Sequence, residues 1–343
     1  MTKKIKQYPI KPMSLGTKIL FFEQLKTYVS SSIPISTSFT NIRKYSDNNT
    51  IKIIARILLK EMDNGVNLSE AILKLKNPIG AVYCNLISLG AQAGELPQIL
   101  DDIYKSLKRQ RQIKLNIIKQ LTYPAFLLVG LIGAAALLGL FIAPKFRMLH
   151  ESLNGSVPAN ISNIENTAAM IQSNWLTLII LTAFTIWGII TGFKKLAKSK
   201  LGLHVPIMGA IVKFYNLSMF TRLLAIAYTA GIPITHGILL STEAISNNYM
   251  RKLLYKCSSL ITKLSFTDTF ATTRLFTPSM LTKIQAAELT GELDKVLREI
   301  SNDIDDNLET AITASLKLVE PILMVIIAGF IVLYGVSIMS TIY

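Results

Sequence analysis

Two hydrophobic patterns alternate along the chain. Over residues 96–107 the apolar side chains Ile99, Ile103 and Leu107 are spaced four residues apart, which predicts a helix with one buried face. The same spacing recurs in the second half, at Val296, Ile300, Ile304, Leu308, Ile312 and Leu316. Each of these segments leads without a break into an uncharged apolar stretch. The pattern therefore predicts amphipathic helices that continue into membrane-spanning helices.

Three uncharged stretches have the length of a bilayer span, for which a helix needs about 20 residues. They cover residues 123–143, 175–193 and 321–343, and none contains Lys, Arg, Asp or Glu. Because one central charge would cost about 2.5–3.5 kcal/mol on insertion, their absence favours three transmembrane helices over buried core helices.

Basic residues set the orientation. Of the 36 Lys and Arg, 19 lie in residues 1–122 and 15 in residues 194–320, but only two lie in residues 144–174. Because basic loops stay on the cytoplasmic side, we expect a basic N-terminal lead over 1–17 and cytoplasmic domains over 18–122 and 194–320. Residues 144–174 then form a short periplasmic loop, and the C-terminus is periplasmic.

The two cytoplasmic segments repeat each other. Ile33-Pro34 returns as Ile232-Pro233, and Gly94 returns as Gly291, at offsets of 199 and 197 residues. In both copies a membrane-entry pair lies about thirty residues after the glycine, and a proline suits the first turn of a helix because that turn leaves its N–H groups unbonded. These pairs are Tyr123-Pro124 and Glu320-Pro321. The predicted fold is an all-α membrane protein, with two homologous cytoplasmic helical-bundle domains plus three transmembrane helices.

Within the first copy, the pattern predicts four helices before residue 96. The first begins near Lys18 and ends at Ser30, and the second covers Thr50 to Met62. A short helix begins at Leu68 and ends before Pro78, because a proline disfavours helix continuation. Another helix follows through Leu89.

The formal charge of +15 and mean hydropathy of +0.42 suit a membrane protein with basic cytoplasmic parts. A nucleic-acid-binding protein would also be basic, but the apolar stretches argue against it, and we expect no nucleic acid partner. The two cysteines, Cys84 and Cys257, lie far apart, and we expect buried thiols rather than a disulfide.

Catalytic motifs are missing from the sequence. No Gly-Lys dipeptide occurs, so there is no Walker A phosphate loop, and the sequence lacks G-x-G-x-x-G, H-E-x-x-H and G-x-S-x-G. We therefore expect a protein that is not an enzyme and has no cofactor and no catalytic or metal-binding residue. The carboxylate clusters Asp101-Asp102 and Asp303, Asp305 and Asp306 could hold a metal, but a solvated helix face is favoured.

Opposite charges mark the two long helices. The first carries Lys105, Lys108, Arg109 and Arg111, whereas the second carries Asp303, Asp305, Asp306 and Glu309. One interpretation is that both faces are exposed and that the basic face lies near anionic membrane lipids. The other is that the charges direct the two domains to different partners or to each other. Both stay open at this point.

Small residues in the first span permit close helix contact. They are Gly130 with Ala134 and Ala135 with Gly139, each pair four residues apart. Packing within one chain and assembly into a homo-oligomer are both compatible with them.

Several short motifs in this order resemble the inner-membrane platform family shared by type II secretion and type IV pilus assembly. They are Ile33-Pro34, Gly65-x-Asn67-Leu68-Ser69-x-Ala71, Gly90-x-x-Ala93-Gly94-x-Leu96, Tyr123-Pro124, Ile232-Pro233 and Glu288-x-Thr290-Gly291-x-Leu293. The resemblance covers nearly the whole chain from about residue 18. Both copies depart from the family pattern, in which a Gly-Glu pair precedes the second glycine of the motif. The first copy has Gly90-Ala91 there and the second has Ala287-Glu288.

The resemblance implies a non-catalytic platform in the bacterial inner membrane. Its expected partners are a hexameric assembly ATPase, pilin or pseudopilin subunits and other inner-membrane assembly proteins. The residues that the resemblance marks as a repeat or docking motif are Gly65, Leu68, Ala71, Gly90, Gly94, Leu96, Glu288, Gly291 and Leu293. The alternative is a small repeat-built transporter or channel, which the missing intramembrane charges disfavour.

Overall fold

The structure is a computed structural model that describes residues 7–137, 145, 148, 191–192, 195–205, 208–318, 320–321, 324–325, 327–329 and 332. All regular secondary structure in these residues is helical. In chain order the α-helices are α1 (Leu15–Ser30), α2 (Ile35–Tyr45), α3 (Asn49–Asp63), α4 (Leu68–Ala71), α5 (Lys76–Ile79), α6 (Ala81–Ala93), α7 (Leu96–Leu137), α8 (Met208–Thr229), α9 (Ile234–Thr242), α10 (Asn248–Leu260), α11 (Phe266–Ala271), α12 (Pro278–Thr290) and α13 (Leu293–Lys317). Two 3-10 helices cover Ile72–Leu75 and Leu201–Leu203.

The chain divides into two compact units. The first unit combines residues 1–115 with 197–309, and the second combines 116–196 with 310–343. Most of both cytoplasmic copies therefore lies in the first unit, and their last residues, 116–122 and 310–320, lie in the second. The second unit contains the stretches that the sequence predicts to cross the membrane.

Matching caps show that the two copies fold alike. Pro34 precedes α2 with φ −53° and ψ 140°, and Pro233 precedes α9 with φ −51° and ψ 133°. Asn48 and Asn247 cap α3 and α10, and each side chain accepts hydrogen bonds from two backbone N–H groups. The local signals that start a helix are therefore shared by the copies.

Each copy has its own aromatic centre. Phe21 and Phe22 are fully buried in the first copy, with ring centroids 5.3 Å apart in an edge-on arrangement. Phe220 and Phe270 take this role in the second copy, at 5.8 Å.

Helix α8 contributes to both hydrophobic cores. Its residues Met219, Leu223 and Ile226 pack in the first core, whereas Leu217 and Leu224 pack in the second. A helix that is buried on several sides is apolar all round. The two cores are therefore joined through one shared helix.

Helix α8 is also the one helix among the described residues with the length and hydropathy of a membrane span. Of its most apolar stretch, 61% is buried inside the unit. The polar side chains of Asn216, Ser218 and Thr221 are buried too, and each makes hydrogen bonds.

The structure corrects the predicted boundaries of the first copy. Helix α2 was not expected, because its sequence is rich in Ser and Thr. Pro78 does not end the short helical segment but lies in the first turn of α5, where a proline is tolerated, and the segment ends at Gly80 with φ +112°. The N-terminal lead is irregular but packed, since Tyr8 N–H donates to the carbonyl of Lys74 at 3.1 Å and Met13 N–H to that of Pro78 at 3.0 Å.

Helix α7 continues through Pro124 to Leu137, so Pro124 lies inside a helix of 42 residues rather than at the start of one. The second copy differs, because α13 ends at Lys317 and Leu318 lies in a turn. The predicted loop 144–174, the span 175–193, Ala143 and Gly139 fall almost entirely outside the described residues. So does most of the predicted span 321–343.

Candidate functional site

The motif glycines end helices. Gly94 and Gly291 follow α6 and α12 with φ of +80° and +78°, a left-handed conformation that glycine adopts without strain. Gly65, at φ +80°, ends α3 in the same way, and the N–H of Val66 donates to the carbonyl of Glu61 at 3.0 Å. These positions determine where the chain turns.

Gly90 permits close contact between α6 and α7. A Cβ on Gly90 would lie 2.1 Å from Cδ1 of Ile99, which is itself buried. At the equivalent positions of the second copy, 197 residues later, stand Ala287 and Val296. The second copy therefore has one more methyl group on one helix and one fewer on the other.

The apolar motif residues pack inside their own copies. Leu68 and Ala71 belong to the first core, and Leu96 packs against it. Leu293 belongs to the second core.

Glu288 caps a neighbouring helix. Its carboxylate accepts hydrogen bonds from the backbone N–H of Phe266 at 2.7 Å, from that of Thr267 at 3.2 Å and from the Thr267 hydroxyl at 3.0 Å. These groups open α11, where N–H groups lack helical partners and a negative charge is favourable. In the first copy the equivalent Ala91 has no carboxylate, and α4 is capped by Asn67 alone, as Ser265 caps α11 in the second copy.

The two copies meet along a seam of ion pairs between α7 and α13. Asp102 accepts two hydrogen bonds from Arg298, each of 2.7 Å, and its side chain is only 5% exposed. Arg298 also donates to the Thr229 hydroxyl at 3.0 Å. The hydrogen bonds to Asp102 raise the pKa of the Arg298 guanidinium above its ordinary value.

A second cluster of the seam surrounds Asp305, whose side chain is 1% exposed. Arg109 of α7 donates to it at 3.0 Å, and Arg222 and Ser218 of α8 also donate to it. Arg222 donates in addition to the Ser301 hydroxyl at 3.1 Å, and burial lowers the pKa of its guanidinium. Both oxygens of this buried carboxylate therefore accept hydrogen bonds.

The prediction of a solvated carboxylate face is wrong for Asp102 and Asp305. Both are buried, because the partner helix covers that side of each long helix. Asp306 does face solvent, and it lies 3.4 Å from Arg109, which also pairs with Glu309 at 3.3 Å.

The remaining charges of these faces form local contacts. Lys105 pairs with Asp101 at 2.7 Å, one turn away, and Lys108 lies over the ring of Tyr104. Asp303 pairs with Lys283 of α12 at 2.7 Å. Arg111 is exposed. Of the predicted basic face, Arg109 alone reaches the second copy within the described contacts.

The sign of the charge is inverted at three of the equivalent positions along the seam, whereas Asp102 and its equivalent Glu299 are both acidic. The first copy has Asp101, Lys108 and Arg109 where the second, 197 residues later, has Arg298, Asp305 and Asp306. Two first copies in the same register would set Asp102 against Asp101 and Arg109 against Lys108. Two second copies would set Asp306 against Asp305, and only Glu299, the equivalent of Asp102, would still meet an opposite charge, on Arg298. Unlike copies match at both ion pairs. The seam is therefore specific for one first copy with one second copy.

Two membrane-entry residues line a small cleft in the second unit. The cleft, of about 210 Å³, is lined by Tyr123 and Glu320 together with residues of α7 and α13. Gln120 donates to the Thr313 hydroxyl beside it, at 3.2 Å. Pro321 is exposed and helical.

Both cysteines are buried thiols, as predicted. Burial raises the pKa of Cys84 to about 12 and that of Cys257 to about 11. Within the part of the chain that the structure describes, no group of His, Cys, Asp and Glu is arranged to hold a metal ion.

The repeat is also recognised by comparison with known proteins. The profile of one family, described as type II secretion system (T2SS), protein F, matches the chain twice, over residues 21–144 and 220–341. The chain belongs to this family. The two matches begin at Phe21 and Phe220, which the repeat places at equivalent positions.

Relatives in this family include proteins of two machines. Type IV pilus assembly protein PilC of Pseudomonas aeruginosa is 26% identical over 335 residues, which cover 94% of this chain and 88% of the relative. Type II secretion system protein F of Aeromonas hydrophila is 21% identical over 328 residues, covering 94% and 84%. The family expected from the motifs is confirmed.

The opposite charges of the two long helices allowed the interpretation that the copies pair with each other, and Arg109 does contact Asp305 and Asp306. The sequence did not indicate which of these charges are buried. Asp102 and Asp305 stand beside apolar stripes, and each is accompanied one turn away by a small polar residue, Ser106 and Ser301. A carboxylate with a serine one turn away is the one feature of the sequence that could have indicated a buried polar strip along these helices.

Proposed function

We propose that the chain is a non-catalytic platform in the inner membrane of a type IV pilus or type II secretion assembly machine. Membership in the protein F family and the names of the relatives support this role. In this proposal the two copies lie in the cytoplasm, engage an assembly ATPase, and pass its conformational work to the membrane segment, where pilin or pseudopilin subunits join the filament.

The uninterrupted helix α7 is the observation that carries this proposal. Its first part holds seam residues Asp102 and Arg109, and it continues to Leu137, well into the predicted span. A helix of 42 residues is about 63 Å long and has no loop that could absorb a displacement. We infer that movement at the seam is transmitted along α7.

Insertion of a flexible Gly-Ser linker of about seven residues just before Pro124 tests this coupling. We expect filament assembly to be lost while the protein still inserts in the membrane, because a flexible linker does not transmit force. The matched control is an Ala-Leu insertion of the same length, which adds about two helical turns. Filaments made by the Gly-Ser variant at the wild-type level would contradict the coupling.

The partner assignment has a separate test. Full-length protein should co-purify with the ATPase of its machine and should not hydrolyse nucleotide by itself. Turnover by the purified chain would overturn the non-catalytic role, and substrate flux in liposomes would favour a transporter.

A further inference from the structure

A broad groove lies in the first unit, between α6 of the first copy and helices α9 and α10 of the second. Its volume is about 1300 Å³, which exceeds the 300–1,000 Å³ of ordinary small-molecule pockets. It is open to solvent, and it is separate from the ion pairs of the seam.

The floor of the groove is apolar. It is formed by half-buried or buried leucines from both copies, and between them stand small side chains such as Ala81 and Ser88. The leucines are Leu73, Leu89, Leu239, Leu240 and Leu253.

The rim of the groove is basic and aromatic. Arg251, Lys252 and Lys256 line it, and Glu243 is the one carboxylate among the lining residues. Lys252 and Lys256 are exposed and stand one turn apart on α10. Tyr255 stands beside them and is 58% exposed.

These cations differ from those of the seam. Arg109, Arg222 and Arg298 are held by buried carboxylates. By contrast, the described residues supply no ion pair to Lys252 or Lys256. Their charge is therefore available to a molecule that enters the groove.

We propose that this groove binds an acidic amphipathic helix of a protein partner. A helix of about 10 Å diameter can lie between helical walls with its apolar face on the leucines. Glu or Asp residues one turn apart on that helix would then face Lys252 and Lys256. Two walls from different elements favour a helix over a lipid surface, which would contact one convex face. The proposal does not depend on which machine the chain serves.

The first test is photocrosslinking in cells that produce the full-length chain. A benzophenone amino acid replaces Tyr255, and the matched control carries it at Tyr45, an exposed tyrosine of α2 outside the groove. We expect position 255 to capture an acidic amphipathic segment of one protein, identified by mass spectrometry, with a yield about tenfold above that of position 45. Capture of lipid, of a second copy of this chain, or of nothing would overturn the proposal.

Charge reversal is the second test. Lys252→Glu with Lys256→Glu should lower the yield from position 255 about tenfold, since two favourable ion pairs become repulsive. The control, Lys60→Glu with Lys263→Glu, changes two exposed lysines outside the groove and should leave the yield unchanged. Replacing the Asp or Glu residues of the captured segment by Lys should restore the crosslinking yield of the charge-reversed variant.

The melting temperature of each variant separates loss of binding from loss of folding. If the Lys252→Glu, Lys256→Glu variant is folded and its crosslinking yield from position 255 is unchanged, the proposal is overturned.

Discussion

At the scale of single residues, a few charged side chains are buried and paired with opposite charges. Asp102 and Asp305 would each be costly to bury alone, and each is stabilised by arginines from the other copy or from α8. Such pairs add little to stability relative to an apolar pair of the same shape, but breaking one is expensive. Their main effect is therefore on which surfaces can pair.

Arg298→Met should lower the free energy of unfolding by about 2–3 kcal/mol, because it leaves the Asp102 carboxylate buried without its partner. The double variant Asp102→Leu, Arg298→Met should regain most of this loss. Chemical denaturation of the full-length protein in detergent micelles measures both. Arg111→Ala, at an exposed position, is the control and should change the free energy of unfolding by less than about 0.5 kcal/mol. A double variant as unstable as the single one would contradict this account.

Glu61 gives stability a pH dependence. Its carboxylate accepts hydrogen bonds of 2.6 Å from Lys74 and from Tyr8, and these bonds, that of Lys74 foremost, lower the pKa of Glu61 below its ordinary value of 4.5. A lowered pKa means that the folded state favours the charged form. The stabilisation is therefore complete above pH 4.5 and is lost as the pH falls through the lower pKa of the folded state.

Glu61→Gln should accordingly cost about 1–2 kcal/mol at neutral pH and progressively less below pH 4.5. Denaturation curves of both proteins at a series of pH values measure the difference. Glu95→Gln, at an exposed carboxylate, is the control. A difference for Glu61→Gln that stays constant into acid would refute the assignment.

At the scale of elements, the copies were predictable where the signal is local. Prolines before α2 and α9, and glycines after α6 and α12, start and end helices through their own backbone geometry. Helix α2 escaped prediction because Ser and Thr weaken a hydrophobic pattern that only tertiary packing completes. The burial of Asp102 and Asp305 escaped it too, because a carboxylate beside an apolar stripe has the same local sequence whether water or an arginine covers it.

The contact between α6 and α7 offers a sharper test of packing. Gly90→Ala should cost about 1–3 kcal/mol, because its Cβ would collide with Cδ1 of Ile99. Ile99→Val removes that Cδ1 and should cost about 0.5–1.5 kcal/mol alone. The double variant reproduces the second copy's pair, Ala287 and Val296. Its loss in the free energy of unfolding should be smaller than the sum of the losses of the two single variants. Strictly additive losses would exclude this complementarity.

At the scale of the whole molecule, the first unit is one body made from two copies. Helix α8 places side chains in both cores, and the seam adds charged contacts between α7 and α13. Separating the two copies would expose to water the apolar side chains that pack on α8 and the buried charges of the seam. We therefore expect the copies to unfold together.

Membrane topology is tested by reporter fusions. Alkaline phosphatase fused at Gly155 should be active, because the positive-inside rule places residues 144–174 in the periplasm. A fusion at Lys263, in the second copy, should be at least about tenfold less active. Equal activity at the two positions, or activity at Lys263 alone, would reverse the orientation and remove the basis for a cytoplasmic partner.

The inverted charges of the seam have a consequence for the gene. Recombination between its two halves could make the duplicated segments identical. It would replace Arg298 by Asp, opposite Asp102, or Asp305 by Lys, opposite Arg109, and so bring like charges together. Such products would fold poorly and be eliminated by selection. A duplication that began as two interchangeable modules is thus held by electrostatics in a state where neither half can replace the other.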